Sequence, residues 1–221
     1  MPSWLAQLVP VLFDEASRPR LDEVLARLEG QVPFRAVHGW HADTIAPLAA
    51  ATSERRGGTP ALHAALAALH RQALAGTPPG VMQWVQALRP ALHELYRHAY
   101  PQADAHARAH RSALAYAAAN AAAIDAAYGS GEAYAQFYAD LSTKANAEAY
   151  AAANADANAE LLAEAFASQS ADGYAETFPA AMMNALACGH AEGHAGEAAG
   201  SARREAYRRL AEGLVASLSQ E

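Results

Sequence analysis

One alanine-rich run constrains the fold of this chain more than any other feature. From Gln102 to Ser168 the sequence contains no proline, and its only glycines, Gly129 and Gly131, flank Ser130. Because alanine is the best helix former, both arms of this run are predicted to be helical. The Gly-Ser-Gly tripeptide supplies a loop, so the second arm is predicted to return beside the first as a long antiparallel hairpin.

Tyrosine and asparagine recur in this hairpin. The heptapeptide Ala-Tyr-Ala-Ala-Ala-Asn-Ala occurs at 115–121 and again at 149–155, and all five asparagines of the chain lie between Asn120 and Asn184. At about 100° per residue, His106, His110 and Asn120 fall on one broad face of the first arm, and we predict that this face points inward.

The second arm changes its apparent inner face partway along. Tyr134, Phe137, Tyr138 and Leu141 share one face, whereas Tyr150, Asn154 and Asn158 share another. Either the helix breaks near Ser142-Thr143 or it passes between two layers. We favour a break, because Ser and Thr side chains offer competing hydrogen bonds to the backbone.

The rest of the chain shows helical periodicity and no β alternation, so the predicted fold is all-α. We expect a single domain at 1–221, a multi-helix bundle of seven to nine helices built around the alanine-rich hairpin. N-terminal helices would occupy residues 1–100, the hairpin 102–168 and C-terminal helices 172–221. The final amphipathic helix, from Ser201, suits packing within the domain or between the copies of a homodimer.

Charge and composition exclude several classes of function. The net charge is −7 and Lys144 is the only lysine, so there is no broad basic face and nucleic-acid binding is not expected. Cys188 is the only cysteine, which fits a reducing compartment. We find neither a signal peptide nor a membrane span, and we expect a cytoplasmic protein without a membrane partner.

The polar residues of the hairpin and its sequel form a Tyr/Asn stripe. A buried amide needs several partners, so inward asparagines indicate either a satisfied interhelical network or a pocket for a polar ligand. Small alanine neighbours are compatible with both, and the two alternatives stay open. The stripe consists of Tyr116, Asn120, Tyr128, Tyr150, Asn154, Asn158 and Asn184.

Histidines supply the candidate acid–base groups. His106 and His110 stand four apart on a strongly predicted helix, and with Tyr116 and Asn120 they are our candidate catalytic residues. His38, Trp40 and His41 form an aromatic segment flanked by imidazoles, which we add to the candidate ligand-binding residues. Alternatively Trp40 anchors the core and these histidines lie at the surface. His63 and His70 share a helix face, and we assign them no function.

The spacing His190-x-x-x-His194, with Glu197 three residues on, presents ligands that a divalent transition metal would accept. If the C-terminal helices fold back on the hairpin, this pair and the His106–His110 pair could form a four-histidine cluster. The glycines nearby weaken the case for a helix here. The alternative is that these histidines lie in a surface linker.

Taken together, these patterns favour a protein that binds a small molecule, with cofactor-independent acid–base or hydrogen-bonding chemistry of specialised metabolism as the leading hypothesis. Whether the chain is an enzyme stays undecided. The second hypothesis is a metal-dependent enzyme or metal-binding protein that uses the paired histidines. The third is a non-catalytic helical scaffold whose Tyr/Asn stripe is a packing or partner surface.

Overall fold

A computed structural model describes residues 1–194 and 196–221. These residues form twelve α-helices and one π-helical turn, and they contain no strand, which confirms the all-α multi-helix prediction. The number of helices exceeds the predicted seven to nine because three of them are short. The helices are α1 Ser3–Leu12, α2 Arg18–Arg27, α3 Arg35–Trp40, α4 Ala46–Arg55, α5 Pro60–Leu74, α6 Val81–Ala99, α7 Gln102–Ala119, α8 Ala121–Tyr128, α9 Gly131–Ser168, α10 Ala171–Glu176, α11 Pro179–Ala191 and α12 Glu197–Leu218, with the π-turn His41–Ile45 joining α3 to α4.

The hairpin forms from α7 and α9, and it turns where the glycines predicted. Gly129 has a φ of 81°, a left-handed conformation that glycine adopts at little cost, and the Ser130 hydroxyl accepts a hydrogen bond from the Ala133 N–H at 3.1 Å. The first arm was expected to run unbroken to Tyr128. It ends instead at Asn120, whose side-chain amide donates to the Tyr116 carbonyl at 2.9 Å.

The second arm is one helix of 38 residues, so the predicted break near Ser142-Thr143 is wrong. Its buried positions recur every fourth residue. Because a step of four residues advances about 400° around a helix, this stripe drifts by about 40° per step and winds around α9. The helix therefore faces α7 with its first half and α6 with its second half. The stripe is Ala135, Ala139, Thr143, Ala147, Ala151, Ala155, Ala159 and Ala163.

The large side chains of the hairpin's first half point away from this contact. Phe137 and Leu141, which were assigned to an inner face, are 52% and 58% exposed. That prediction is corrected, because the helices meet through their alanines instead. Side chains this small let two helix axes approach closely, so a strip of methyl groups replaces the expected aromatic contact.

The remaining helices build one apolar core around the second half of α9. Its largest fully buried side chains include Trp4, Trp40, Trp84 and Phe166. The Trp40 indole N–H donates to the Leu210 carbonyl at 2.9 Å and so ties α3 to α12. Among residues 1–194 and 196–221, no helix combines the length and the apolar character needed to cross a lipid bilayer.

The close contact along α9 predicts a sharp difference between two alanines of that helix. Ala159 is fully buried, whereas Ala157 is exposed. Ala159→Leu should lower the free energy of unfolding by about 1–3 kcal/mol, because extra methylene groups have no room there. Ala157→Leu should change it by less than about 0.5 kcal/mol. Urea denaturation measures both, and equal effects would contradict the alanine contact.

Candidate functional site

A surface groove of about 410 Å³ lies over the junction of α6, α9 and α11, and we call it the Tyr–Asn groove. This volume falls within the range of small-molecule sites. None of the residues that line it carries a charged side chain. The lining side chains that offer polar or aromatic contacts include Tyr96, Tyr150, Asn154, Asn158, Phe178 and Asn184.

Helical spacing places three of these residues in a row. Tyr150, Asn154 and Asn158 are four apart on α9, so they occupy successive turns of one face. The Asn154 amide donates to the Tyr150 carbonyl at 2.8 Å, and the Asn158 amide donates to the Asn154 carbonyl at 2.8 Å. Because each amide nitrogen donates to the backbone, each Oδ1 is left as an acceptor at the groove.

Asn184 is oriented the other way from Asn154 and Asn158, with its Oδ1 rather than its amide nitrogen bonded to neighbouring groups. Its Oδ1 accepts from the Arg203 guanidinium at 2.6 Å and from the Tyr207 hydroxyl at 2.8 Å. The amide NH₂ of Asn184 is therefore oriented as a donor. The groove thus offers two acceptor oxygens on α9 and one donor group on α11.

Tyrosines form the aromatic wall of the groove. The Tyr96 and Tyr150 rings meet edge to face, with centroids 6.2 Å apart at 85°, and the Asn158 amide approaches the Tyr96 hydroxyl at 3.4 Å. Burial, with a smaller effect of the neighbouring Tyr150, raises the pKa of Tyr96 to about 12. This hydroxyl is therefore neutral at physiological pH and remains a hydrogen-bond donor.

Phe178 lies at the groove with a left-handed backbone. It precedes the first residue of α11 with a φ of 51° and a ψ of 61°, and its side chain is 69% exposed. A left-handed backbone costs an ordinary residue about 1–2 kcal/mol. Among the described residues, Glu29 and Gln169 are the other non-glycine residues with positive φ, and all three follow helix C-termini, where that conformation is common. The conformation therefore follows from the end of α10, and it leaves an exposed aromatic ring beside the groove.

The structure brings together four of the predicted site residues, Tyr150, Asn154, Asn158 and Asn184, in this groove. The other members of the stripe lie at the far end of the hairpin. Tyr116 and Tyr128 both contact Tyr134 there, with ring centroids 5.9 and 5.1 Å apart. Asn120 is exposed, which corrects the prediction that it points inward, because the helix ends at this residue.

The candidate catalytic histidines lie between α7 and α9 at the surface. His106 Nε2 is 2.9 Å from the Asp140 carboxylate, and His110 Nε2 is 3.0 Å from the Glu132 carboxylate. The side chains of His106 and His110 are 32% and 21% exposed. The predicted inward orientation is therefore only partial, since α9 offers carboxylates at the edge of its alanine stripe.

His38 and His41 of the predicted segment lie in a buried cluster of imidazoles. The third member of the cluster, His70, was assigned no function from the sequence. His38 Nδ1 and His70 Nδ1 are 2.9 Å apart, and the His41 and His70 rings stack at 4.7 Å. His41 Nε2 is 2.8 Å from the Tyr174 hydroxyl. The π-turn that begins at His41 places this ring, and such turns are frequent at functional sites. Trp40 is a core anchor.

Hydrogen-bond accounting assigns the protons in this cluster. Tyr174 has His41 as its partner, so its O–H donates to Nε2 and the His41 proton lies on Nδ1. His38 Nε2 is buried without a partner among the described residues. An orphaned N–H is costlier than an unused lone pair, so His38 donates from Nδ1 to His70. The His70 proton is then on Nε2.

Burial keeps these imidazoles neutral. It lowers the pKa of His38 to about 4 and that of His41 to about 3, with a smaller contribution to His41 from neighbouring His38. Burial also lowers the pKa of His70 well below its ordinary value. The same environment raises the pKa of Tyr174, so its phenol is neutral as well.

A small cavity of about 40 Å³ lies beside this cluster, lined by His41, His63 and His70 together with apolar side chains. Its volume suffices for one water molecule or a guest of a few atoms. The same helices separate it from the Tyr–Asn groove. Leu95 and Met182 line the cavity, whereas their neighbours Tyr96 and Ala181 line the groove.

A second buried polar cluster surrounds Glu94. Its carboxylate accepts hydrogen bonds from the Ser53 hydroxyl and, at 2.8 Å, from the Thr59 N–H, and it lies 3.5 Å from His63 Nε2 and 3.8 Å from His98 Nε2. Burial acts to raise the pKa of Glu94, but Ser53, Thr59 and the two imidazoles outweigh it, and the pKa is lowered. The cluster joins α4, α5 and α6.

The predicted metal ligands are dispersed. His190 Nδ1 lies 3.1 Å from the Thr52 hydroxyl, His194 Nδ1 lies 3.1 Å from the Ala191 carbonyl oxygen, and Glu197 is exposed at the start of α12. Within residues 1–194 and 196–221, no group of three His, Cys, Asp or Glu side chains has the geometry to hold a metal ion. The four-histidine cluster conjectured from spacing is therefore not formed there.

A larger groove, of about 640 Å³, lies between α12 and the segment that follows α1. Part of its charge is already satisfied, since Arg208 pairs with Glu205 and Glu212 at 2.7 Å each. None of the predicted site residues lines this groove. The Tyr–Asn groove is smaller, but it combines uncharged polar groups with aromatic rings, including the exposed ring of Phe178.

The sequence matches no protein-family model, and no curated protein or solved structure is significantly similar to it. What the site can do therefore has to follow from its own geometry and chemistry.

The left-handed conformation of Phe178 predicts a reversal of the usual helix preference. Phe178→Gly should be more stable than Phe178→Ala by about 1 kcal/mol, because only glycine adopts positive φ without strain. At Leu161, an exposed residue inside α9, alanine should be favoured over glycine by about the same amount. Thermal or urea unfolding of the four variants provides the measurement. Equal stability of the two Phe178 variants would contradict the assigned conformation.

The neutral imidazole cluster predicts acid sensitivity. Below the ordinary histidine pKa of about 6.5, the unfolded chain binds protons that His38, His41 and His70 do not bind when folded. Stability should therefore fall as pH falls from about 6.5 towards 4, by about 1.4 kcal/mol per pH unit for each such histidine.

His38→Leu/His70→Leu removes both partners of one hydrogen bond, so this variant should fold at pH 7. Its stability should fall less steeply with decreasing pH than that of the wild type. Urea denaturation between pH 7 and 4.5 measures this. An unchanged slope in the double variant would exclude the pair as its source.

Proposed function

We propose that this protein binds a small, uncharged organic molecule with a flat ring and hydroxyl or amino donors in the Tyr–Asn groove. The observation that carries the proposal is the row of Tyr150, Asn154 and Asn158, which faces the exposed Phe178 ring across an uncharged groove of about 410 Å³. A concave site lined by aromatic side chains and a few placed polar groups is typical of small-molecule binding.

The chemistry of the lining determines the class of ligand. The absence of charged side chains from the lining disfavours an ion, because a charged guest would lose hydration without gaining a partner. The Oδ1 atoms of Asn154 and Asn158 accept hydrogen bonds from hydroxyl or amino groups, and the Asn184 amide donates to a carbonyl or ether oxygen. Tyr150 and Phe178 supply aromatic surfaces on which a ring can pack.

The wider hypothesis is a cofactor-independent enzyme of specialised metabolism, and it requires acid–base groups near the ligand. The observation that favours it is the imidazole-lined cavity behind the groove, bounded by the same helices. There His70 presents an Nε2–H donor, and His63, whose Nε2 faces Glu94, retains Nδ1 as an acceptor. A guest larger than a few atoms would reach them only if Leu95 or Met182 moved.

Two alternatives stay as proposals. A metal-dependent protein would contain a stoichiometric transition metal that is lost in the His190→Ala/His194→Ala variant. A non-catalytic scaffold would use the Tyr/Asn stripe as a contact surface and would bind no small molecule.

The free thiol of Cys188, beside the groove, also supports a reducing compartment, and we place the protein in the cytoplasm on that ground.

Binding can be tested with adenosine and 4-methylcatechol, two uncharged compounds that carry a flat ring with hydroxyl or amino donors. Saturation-transfer NMR on the unmodified protein should detect at least one of them. The same compound should slow the alkylation of Cys188 by iodoacetamide, followed by intact mass. Asn154→Ala should weaken its binding by about threefold to tenfold, because one hydrogen bond to the ligand is lost.

Asn146→Ala is the matched control, since Asn146 lies on the same helix outside the groove and contacts Ser142. It should leave binding and alkylation unchanged. The proposal fails if neither compound gives a saturable signal. It also fails if a binder neither protects Cys188 nor responds to Asn154→Ala.

A further inference from the structure

The first half of α9 presents a packed-helix pattern to solvent. Tyr134, Phe137, Tyr138 and Leu141 follow the spacing i, i+3, i+4, i+7, which is typical of a helix face buried against another helix. The opposite face of the same segment, the alanine stripe, is already packed against α7. In one copy of the chain, therefore, the alanine face of this segment is packed against another helix and the aromatic face is not.

Aromatic side chains from the neighbouring helices extend this face. Tyr134 contacts Tyr116 of α7 and Tyr128 of α8, and Tyr128 contacts Phe137 with ring centroids 5.8 Å apart. We call the continuous surface the aromatic arm face. Its large side chains other than Tyr134 are each between 42% and 58% exposed: Tyr116, Tyr128, Phe137, Tyr138 and Leu141.

Within the described chain, no other helix covers the aromatic arm face. The main contacts of α7 are with α9, and α8 contacts only α9 and α7 to any extent. Two helices paired through alanine alone bury little apolar area. Exposed apolar patches that are contiguous on this scale mark interaction sites.

We propose that the aromatic arm face is covered by the same face of a second copy of this chain, so that two hairpins form a four-helix bundle in a twofold-symmetric dimer. A twofold axis pairs a patch with itself, which suits a surface made of one kind of side chain. Large aromatic and aliphatic residues at helical spacing then fill the space between two alanine-paired layers.

The charge of the arm is compatible with self-association. Residues 102–147 contain four carboxylates and three lysine or arginine side chains, a net charge of −1, whereas the whole chain carries −7. Two arms can therefore approach without the repulsion that the acidic remainder would produce. A nucleic-acid or anionic-membrane partner would require the positive surface that this arm lacks.

The area is also sufficient. A large aromatic side chain has about 150–250 Å² of surface, and about half of each side chain on this face is exposed. Covering the five exposed side chains would therefore remove about 500 Å² from solvent in each copy. The pair would bury about 1,000 Å² in total from these side chains alone, which reaches the lower bound for a specific interface. The alanines between them add to this area.

Light scattering coupled to size-exclusion chromatography tests the dimer on the full chain. At micromolar concentrations the wild-type mass should be twice the 23.2 kDa of one copy. Phe137→Ser/Leu141→Ser should give the mass of one copy with an unchanged helical circular-dichroism spectrum. Met82→Ser/Leu161→Ser, a matched pair of exposed apolar residues outside the face, should remain dimeric.

A cysteine variant fixes the geometry. In a Cys188→Ser background, Phe137→Cys should form a disulfide-linked dimer under mild oxidation, because residues near a twofold axis meet their own copies, and Met82→Cys should not. A monomeric wild-type protein overturns the proposal, including one that instead binds lipid vesicles through this face. A dimer that survives Phe137→Ser/Leu141→Ser, or that dissociates in the Met82/Leu161 control, overturns it equally.

Discussion

Close contact along one strip of alanine methyl groups organises this structure. A four-residue repeat on a 3.6-residue helix drifts around its axis, so α9 can face α7 at one end and α6 at the other without a bend. Because the buried strip is made of small residues, every large residue on α9's first half is displaced outward. The same strip therefore holds the hairpin together and determines which surfaces stay available for other contacts.

The periodicity of the sequence was sufficient to predict the fold class and part of the candidate site. The hairpin turn at Gly129 and the groove row of Tyr150, Asn154 and Asn158 depend on spacing within one helix, which the sequence displays directly. The inner face of α9 was misassigned because large apolar residues usually mark the buried side of a helix. In an alanine-paired hairpin that rule is reversed, and only the i+4 repeat of small residues, all alanine except Thr143, indicates it.

The imidazole cluster shows the other limit of sequence reasoning. His38 pairs with His70 across 32 residues, and His41 with Tyr174 across 133, so neither pairing has a local signature. One signal was present nonetheless. His63 and His70 lie two turns apart on the face of α5 that also carries Leu66, and a polar residue on an apolar face requires a buried partner. Assigning these histidines no function missed that requirement.

Proton placement links the buried cluster to the groove. If Tyr174 donates to His41 and His38 donates to His70, each of these imidazoles is neutral, and the N–H groups left outside the two bonds are His41 Nδ1–H and His70 Nε2–H. A neutral imidazole beside a mostly apolar cavity can exchange a proton only with a water molecule or a polar guest that enters the cavity. Chemistry at the cavity would therefore depend on motion of the Leu95–Met182 wall, whereas recognition at the Tyr–Asn groove requires none.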